Sequence, residues 1–118
     1  MGLEWEQTIV DAHDPVALGR WWCDALGWVI VNDDPDEFEI RPSADRLPGL
    51  LFAQVPEPKS VKNRLHLDLY VADPEPFMEQ LEDLGARRVG EAVMEGNEWA
   101  YQVMADPAGN EFCVCREA

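Results

Sequence analysis

The feature that most constrains how these 118 residues fold is that the sequence repeats itself. Asp14-Pro15 recurs as Asp73-Pro74 with an offset of 59, Leu26-Gly27 as Leu84-Gly85 with an offset of 58, and Gly49 before an apolar run as Gly109 with an offset of 60. A near-constant period across the whole chain means that one supersecondary unit is built twice. A single domain of residues 1–118 then consists of a first module, residues 1–58, and a second, residues 59–118. Val55-Pro56-Glu57-Pro58-Lys59 is the connector, because its two prolines disfavour regular structure.

Within each module the patterning gives one strand, one helix and three more strands. Glu4 to Asp11 and Arg64 to Val71 alternate at period two and read as strands. Asp14 and Asp73 are in place to cap helices over Pro15 to Leu26 and Pro74 to Leu84, with proline at the first helical position, where its missing N–H costs nothing. Gly27 and Gly85 supply the left-handed residue that ends each helix. Phe77, Leu81 and Leu84 share one face of the second helix, so that helix covers a sheet. The remaining strands are Trp28 to Val31, Glu37 to Arg41 and Leu50 to Val55, then Arg87 to Gly90, Glu98 to Met104 and Glu111 to Arg116. The expected class is therefore α+β, two βαβββ modules whose mixed sheets each leave one face to line a cleft.

Charge and composition narrow the partners. Nine basic against 24 acidic side chains give a net charge of -15, a field that repels phosphate backbones and anionic lipid surfaces. Nucleic-acid and membrane roles are excluded on that ground, and no apolar run approaches the ~20 residues of a membrane helix. The N-terminus lacks a basic and then apolar leader, and Cys23, Cys113 and Cys115 are an odd set without zinc-finger spacing, so free thiols in a reducing cytoplasm are expected.

Several side chains stand out chemically. In the expected strand, Arg64, His66, Asp68 and Tyr70 form a polar row opposite Leu65, Leu67, Leu69 and Val71. That row faces the cleft, where His66 and Asp68 suit a base and its orienting carboxylate. Trp99 and Tyr101 alternate on one strand and are expected to project from one face, a wall for a planar or cationic ligand. Acidic surroundings raise the Cys113 thiol and argue against a nucleophile there. His13, in a strand-to-helix turn, and the paired Trp21 and Trp22 read as structural.

The duplicated βαβββ unit, its Asp-Pro and Leu-Gly helix ends, Lys62 to Leu69 and Asp106-Pro107-Ala108-Gly109-Asn110 together resemble the vicinal oxygen chelate superfamily of glyoxalases, bleomycin-resistance proteins and extradiol dioxygenases. The likeness is to its small glyoxalase-like branch. It implies a homodimer, a small-molecule ligand in the cleft, and in metal-dependent members a divalent cation held by one ligand from the first and last strand of each module. Position by position those ligands fall at Gln7, Ala53, His66 and Cys113. Ala53 has no donor and Cys113 replaces the usual glutamate, so the set implied is Gln7, His66 and Glu111, which lies two residues from Cys113 on the same strand face. Two activities follow as expectations. One is a glyoxalase-type lyase, isomerase or ring-cleaving enzyme using His66, Glu111 and Asp68. The other is a non-catalytic binder that sequesters a cationic antibiotic, with Arg64, Tyr70, Trp99, Tyr101 and Cys113 against the ligand.

Overall fold

Asp14 starts the first helix as its sequence suggests, accepting a hydrogen bond from the Ala17 amide at 3.2 Å, and Gly27 ends it at φ 68°. The computed structural model describes residues 2–116, which divide into two compact units with the boundary between Pro58 and Lys59. The first runs β1 (Gln7–Ala12), α1 (Pro15–Leu26), β2 (Val29–Asp33), β3 (Glu37–Arg41) and β4 (Gly49–Gln54), with sheet order β1-β4-β3-β2. The second runs β5 (Asp68–Val71), α2 (Pro74–Asp83), β6 (Arg87–Arg88), β7 (Val93–Glu95), β8 (Glu98–Ala105) and β9 (Glu111–Arg116). Its order is β5-β9-β8-β6, with β7 also on β8. In both units the first strand pairs parallel with the last, and the other pairings are antiparallel.

Each helix packs on one face of its own sheet. In the first unit Leu18, Trp21 and Trp22 of α1 are buried with Phe38, Ile40, Leu50 and Phe52 of the sheet. Burial of each large side chain contributes about 1.5–3 kcal/mol. The two tryptophan rings meet edge to face at 5.0 Å, so both belong to the core. In the second unit Met78 and Leu81 are buried with Met104, Phe112 and Val114. The expected Phe77–Leu81–Leu84 face is thus shifted: Met78 takes the central place, Phe77 is half-buried and Leu84, beyond the last helical residue, is exposed.

The strand ends also differ from the sequence reading. β5 begins at Asp68 rather than Arg64, leaving Arg64 and His66 ahead of the strand. The reason is competition for the partner backbone. Asn63 donates through Nδ2 to the Glu111 carbonyl at 2.9 Å and accepts from the Glu111 amide at 3.4 Å, so a side chain takes the groups that a longer β5 would need. The run Arg87 to Gly90 is cut short where Gly90 turns to φ 69°, and the edge resumes as β7, which hydropathy alone did not reveal. Buried Gln102 fastens that break, donating to the Val89 and Gly90 carbonyls at 3.3 and 3.1 Å.

Mid-helix Gly19 is explained by packing rather than by turn chemistry. A Cβ there would lie 2.2 Å from Cδ1 of Phe38, so the helix reaches the sheet only because that atom is missing. Gly19→Ala gains up to about 1 kcal/mol of helix propensity and loses about 1–3 kcal/mol to overpacking. The expected result is a lower thermal midpoint. Phe38→Leu in the same chain relieves the clash, so the double variant falls short of the sum of the single losses in a denaturation cycle.

Candidate functional site

The sheet of the second unit has a covered face and a helix-free face. Alternation along β9 sends Phe112 and Val114 under α2, and Glu111, Cys113 and Cys115 to the other side. Parallel register sets Asp68 opposite Cys113 and Tyr70 opposite Cys115, and the antiparallel ladder sets Val103 and Tyr101 opposite the same two cysteines. The helix-free face therefore gathers residues from three strands, with Asp68 and Tyr70 of β5 more than 30 positions ahead of those from β8 and β9.

His66 reaches this face without belonging to the strand. Its Nε2 lies 3.1 Å from Oδ1 of Asp68, with both side chains more than half exposed at 51% and 64%. Leu67, the next residue, extends the ladder by accepting from the Cys113 amide at 2.9 Å, which holds the His66 backbone beside β9. Cys113 is buried, and its thiol lies within 4.8 Å of the Asp68 carboxylate. The ligand atoms of His66, Asp68 and Cys113 all lie within 4.8 Å of one another. Among the described residues this is the group of histidine, cysteine and carboxylate side chains close enough together to hold an ion.

The electrostatics of the neighbours are specific. Burial, and then the Asp68 carboxylate, push the Cys113 thiol up from 9.0 to about 11, and the same two causes raise Cys115. Glu111 goes the other way: its hydrogen bond from Lys62 holds the carboxyl below its ordinary value, with Lys59 and Arg87 adding smaller pulls. Glu111 is therefore a fixed, paired carboxylate outside the His66–Asp68–Cys113 group.

The other residues singled out in the sequence are more scattered. Arg64 is exposed in a bend ahead of β5, and Tyr70 is 73% exposed beside Asp68. Tyr101 and Trp99 are parted by a register slip in the β7–β8 ladder, where Val93 faces Tyr101 and Met94 faces Trp99. Trp99 lines a depression of about 460 Å³ at the start of α2 with Asp73, Met78 and the ion-paired Glu98 and Arg116, whereas Tyr101 lies across from Cys115. The expected common wall is not formed. Gln7 opens β1 in the first unit, opposite Gly49, and Ala53 ends on the helix-free side of that sheet. His13 is structural, its Nδ1–H donating to the Pro56 carbonyl at 3.0 Å. Asn63 was missed by the sequence reading; the signal available was an amide immediately before the polar row, too common a residue to single out.

Two βαβββ units with parallel first and last strands, and ligand-type side chains at those strands, define the vicinal oxygen chelate class. Within it, the chain belongs to the family described as Glyoxalase-like domain, matched over residues 7–115. Similar solved structures include a glyoxalase-related enzyme from Fulvimarina pelagi, with 18% identity, TM-score 0.74, and 97% of this chain and 88% of that one covered. A glyoxalase/bleomycin resistance protein/dioxygenase family enzyme from Burkholderia phytofirmans has 14% identity and TM-score 0.76, with 97% and 98% covered. An antibiotic binding protein from Streptomyces has 17% identity and TM-score 0.70, with 100% and 99% covered. No curated protein matches the sequence. Among the described residues no helix is long and apolar enough to cross a membrane.

The class implies a divalent cation, and the donors present can be compared with that demand. Of the implied set, Glu111 is held by Lys62 and stands outside the group that the second sheet brings together. His66, Asp68 and Cys113 do fit, as a nitrogen, an oxygen and a sulfur donor at short range.

A thiol raised from 9.0 to about 11 has a thiolate fraction at pH 8 about a hundredfold below an ordinary cysteine. Metal-free native protein is expected to alkylate at Cys113 correspondingly slowly, and at the ordinary rate in denaturant, as read by peptide mass spectrometry. The sign for stability follows from the raised value. The contribution is complete below about pH 9 and is lost as pH rises through about 11, so Cys113→Ser flattens the alkaline limb of the stability profile.

Proposed function

We propose that the protein binds a small cationic, aromatic molecule on the helix-free face of its second sheet and holds it without transforming it. The observation that carries this reading is the state of the reactive groups. Glu111 is committed to Lys62, and Cys113 is a buried protonated thiol. Neither is free to abstract a proton or attack a carbon. What remains available is recognition chemistry: the exposed Asp68 carboxylate, the exposed Tyr70 ring two residues on, and half-buried Tyr101 across β9. A cation is attracted both to a carboxylate and to an aromatic face, and the net charge of -15 raises its local concentration. The fold shared with the Streptomyces antibiotic binding protein is compatible with such a role and does not decide it.

A second reading, a glyoxalase-type lyase or isomerase, is favoured by the His66–Asp68 contact of 3.1 Å. An imidazole whose tautomer is fixed by a carboxylate can take a proton at its other nitrogen and return it to a neighbouring atom of the substrate. A cation held by His66, Asp68 and Cys113 would supply Lewis-acid polarisation of a bound oxygen. The chain's own part is then to orient the substrate against Tyr70 and Tyr101 and to keep Glu111 out of the reaction.

Quenching of intrinsic tryptophan fluorescence by a planar cationic dye tests the first reading. Affinity is expected to fall about tenfold or more in Asp68→Asn and Tyr70→Ala and to weaken as salt rises. Unchanged affinity in both variants, or indifference to salt, rejects it. A small oxygenated substrate turned over by the wild type and not by His66→Ala selects the enzyme instead.

A further inference from the structure

We propose that the depression at the start of α2 is a second ligand site, one that takes a small primary ammonium ion with an apolar body. It lies within the second unit, where α2 meets the ends of β8 and β9, and does not rest on the ligand proposed for the helix-free face. Its wall joins Asp73, Glu75 and Met78 from the start of α2, Glu98 and Trp99 of β8, and Arg116 of β9. A volume of about 460 Å³ is of the size that small-molecule sites have.

The carboxylate of this site comes from a difference between the two copies of the repeat. Asp14 and Asp73 hold the same backbone conformation, φ -127° and ψ 88° against φ -130° and ψ 88°. Asp14 accepts from the Ala17 amide, yet Asp73 makes no cap hydrogen bond. The residue 59 positions after Ala17 is Pro76, which has no N–H to donate. The exposed Asp73 carboxylate is thereby released from its helix and lines the depression. The aromatic wall comes from the slip in the β7–β8 ladder. Ala100 is the extra residue of β8 between the partners of Val93 and Met94, and a bulge of this kind re-aims the side chain beside it. Trp99 accordingly leaves the company of Tyr101 and stands half-buried in the depression with buried Met78.

Charge selects the occupant. Arg88 donates to both carboxylate oxygens of Glu75, at 2.8 and 3.3 Å, and Arg116 holds Glu98. Those charges cancel in pairs. Asp73 forms no ion pair with a described residue, so the depression keeps one negative charge. A monocation matches it. An anion does not, because Pro74 and Pro76 also remove two of the amides that a helix start offers to one. A primary ammonium donates hydrogen bonds to the carboxylate while its charge lies against the indole face, and a quaternary ammonium has only the second of these. Trp99 and Met78 then cover an alkyl or phenyl body.

The test is titration of the full chain with phenethylammonium, followed through the indole N–H signals of its five tryptophans in ¹H–¹⁵N spectra, that of Trp99 assigned by its loss in Trp99→Phe. The expected result is a saturable shift of the Trp99 signal that weakens as salt rises. The neutral 2-phenylethanol and the anionic phenylacetate give none. Asp73→Asn weakens binding about fivefold or more. Pro76→Ala restores the amide that Asp73 lacks, so the carboxylate turns back to cap the helix and binding weakens there too. Asp68→Asn and Tyr70→Ala, on the helix-free face, leave it unchanged. Circular dichroism establishes that each variant is folded. No saturable shift at Trp99, equal binding of the neutral alcohol, or full affinity in Asp73→Asn overturns the site. Full affinity in Pro76→Ala overturns the origin given for its carboxylate. A shift lost in Asp68→Asn and kept in Asp73→Asn puts the cation on the helix-free face, so that the ligand reading there stands while this one falls.

Discussion

The pairing of Asp68 with Cys113 across the parallel β5–β9 ladder is the constraint on which the arrangement of the helix-free face depends. Parallel strands cannot be joined by a tight turn, so the chain travels through α2 and the β6–β8 meander before β9 returns beside β5. That detour brings a carboxylate and a thiol 45 residues apart onto one face at adjacent positions. A slip of one residue would send Cys113 under α2 and bring Phe112 or Val114 out to the helix-free side.

The register is held from both ends. Before β9, buried Asp106 closes the Asp106–Asn110 turn: Oδ1 accepts from the Ala108 and Asn110 amides at 3.0 and 2.9 Å, and Oδ2 from the Asn110 side chain at 3.2 Å. Gly109 at φ 94° completes the turn, a conformation that a side chain would strain. Before β5, Asn63 grips the Glu111 backbone, and Lys62 grips its carboxylate. Lys62 and Asn63 thus align the incoming strand while occupying Glu111. The same contacts that set the register remove a candidate base from the chemistry.

This division between what is local and what is distant also separates what the sequence revealed from what it did not. Helix starts were legible because Asp-Pro is a local signal, and the strands around Phe38 and Phe112 because their alternation is strong. Face assignment in β5 was legible too: Asp68 and Tyr70 do share the helix-free side, with Leu69 opposite. The length of β5 was not, since Asn63 competes for the backbone of a residue 48 positions away. The Gly90 break and the slip between Trp99 and Tyr101 depend on cross-strand pairing and carry no periodic trace. For the candidate site, His66 and Asp68 could be named from the row. Cys113 as their companion in place of Glu111 required the register.

The two modules share a frame and differ in what they place on it. Four residues after the first proline of each helix stands Gly19 in one and Met78 in the other; the first unit fills the gap with the Phe38 ring, and the second fills its core from the helix. The helix-free faces diverge further. The first unit presents Gln7, Ile9 and Asp11 along β1 and Leu51 and Ala53 along β4, where the second presents Asp68 and Cys113. Duplication of the fold therefore does not duplicate the site. Parallel pairing of the end strands creates the same meeting place in both units, and among the described residues it is in the second that nitrogen, oxygen and sulfur lie within reach of one another. Because the frame carries different side chains at the same register in its two units, architecture alone does not assign a chemistry to this chain.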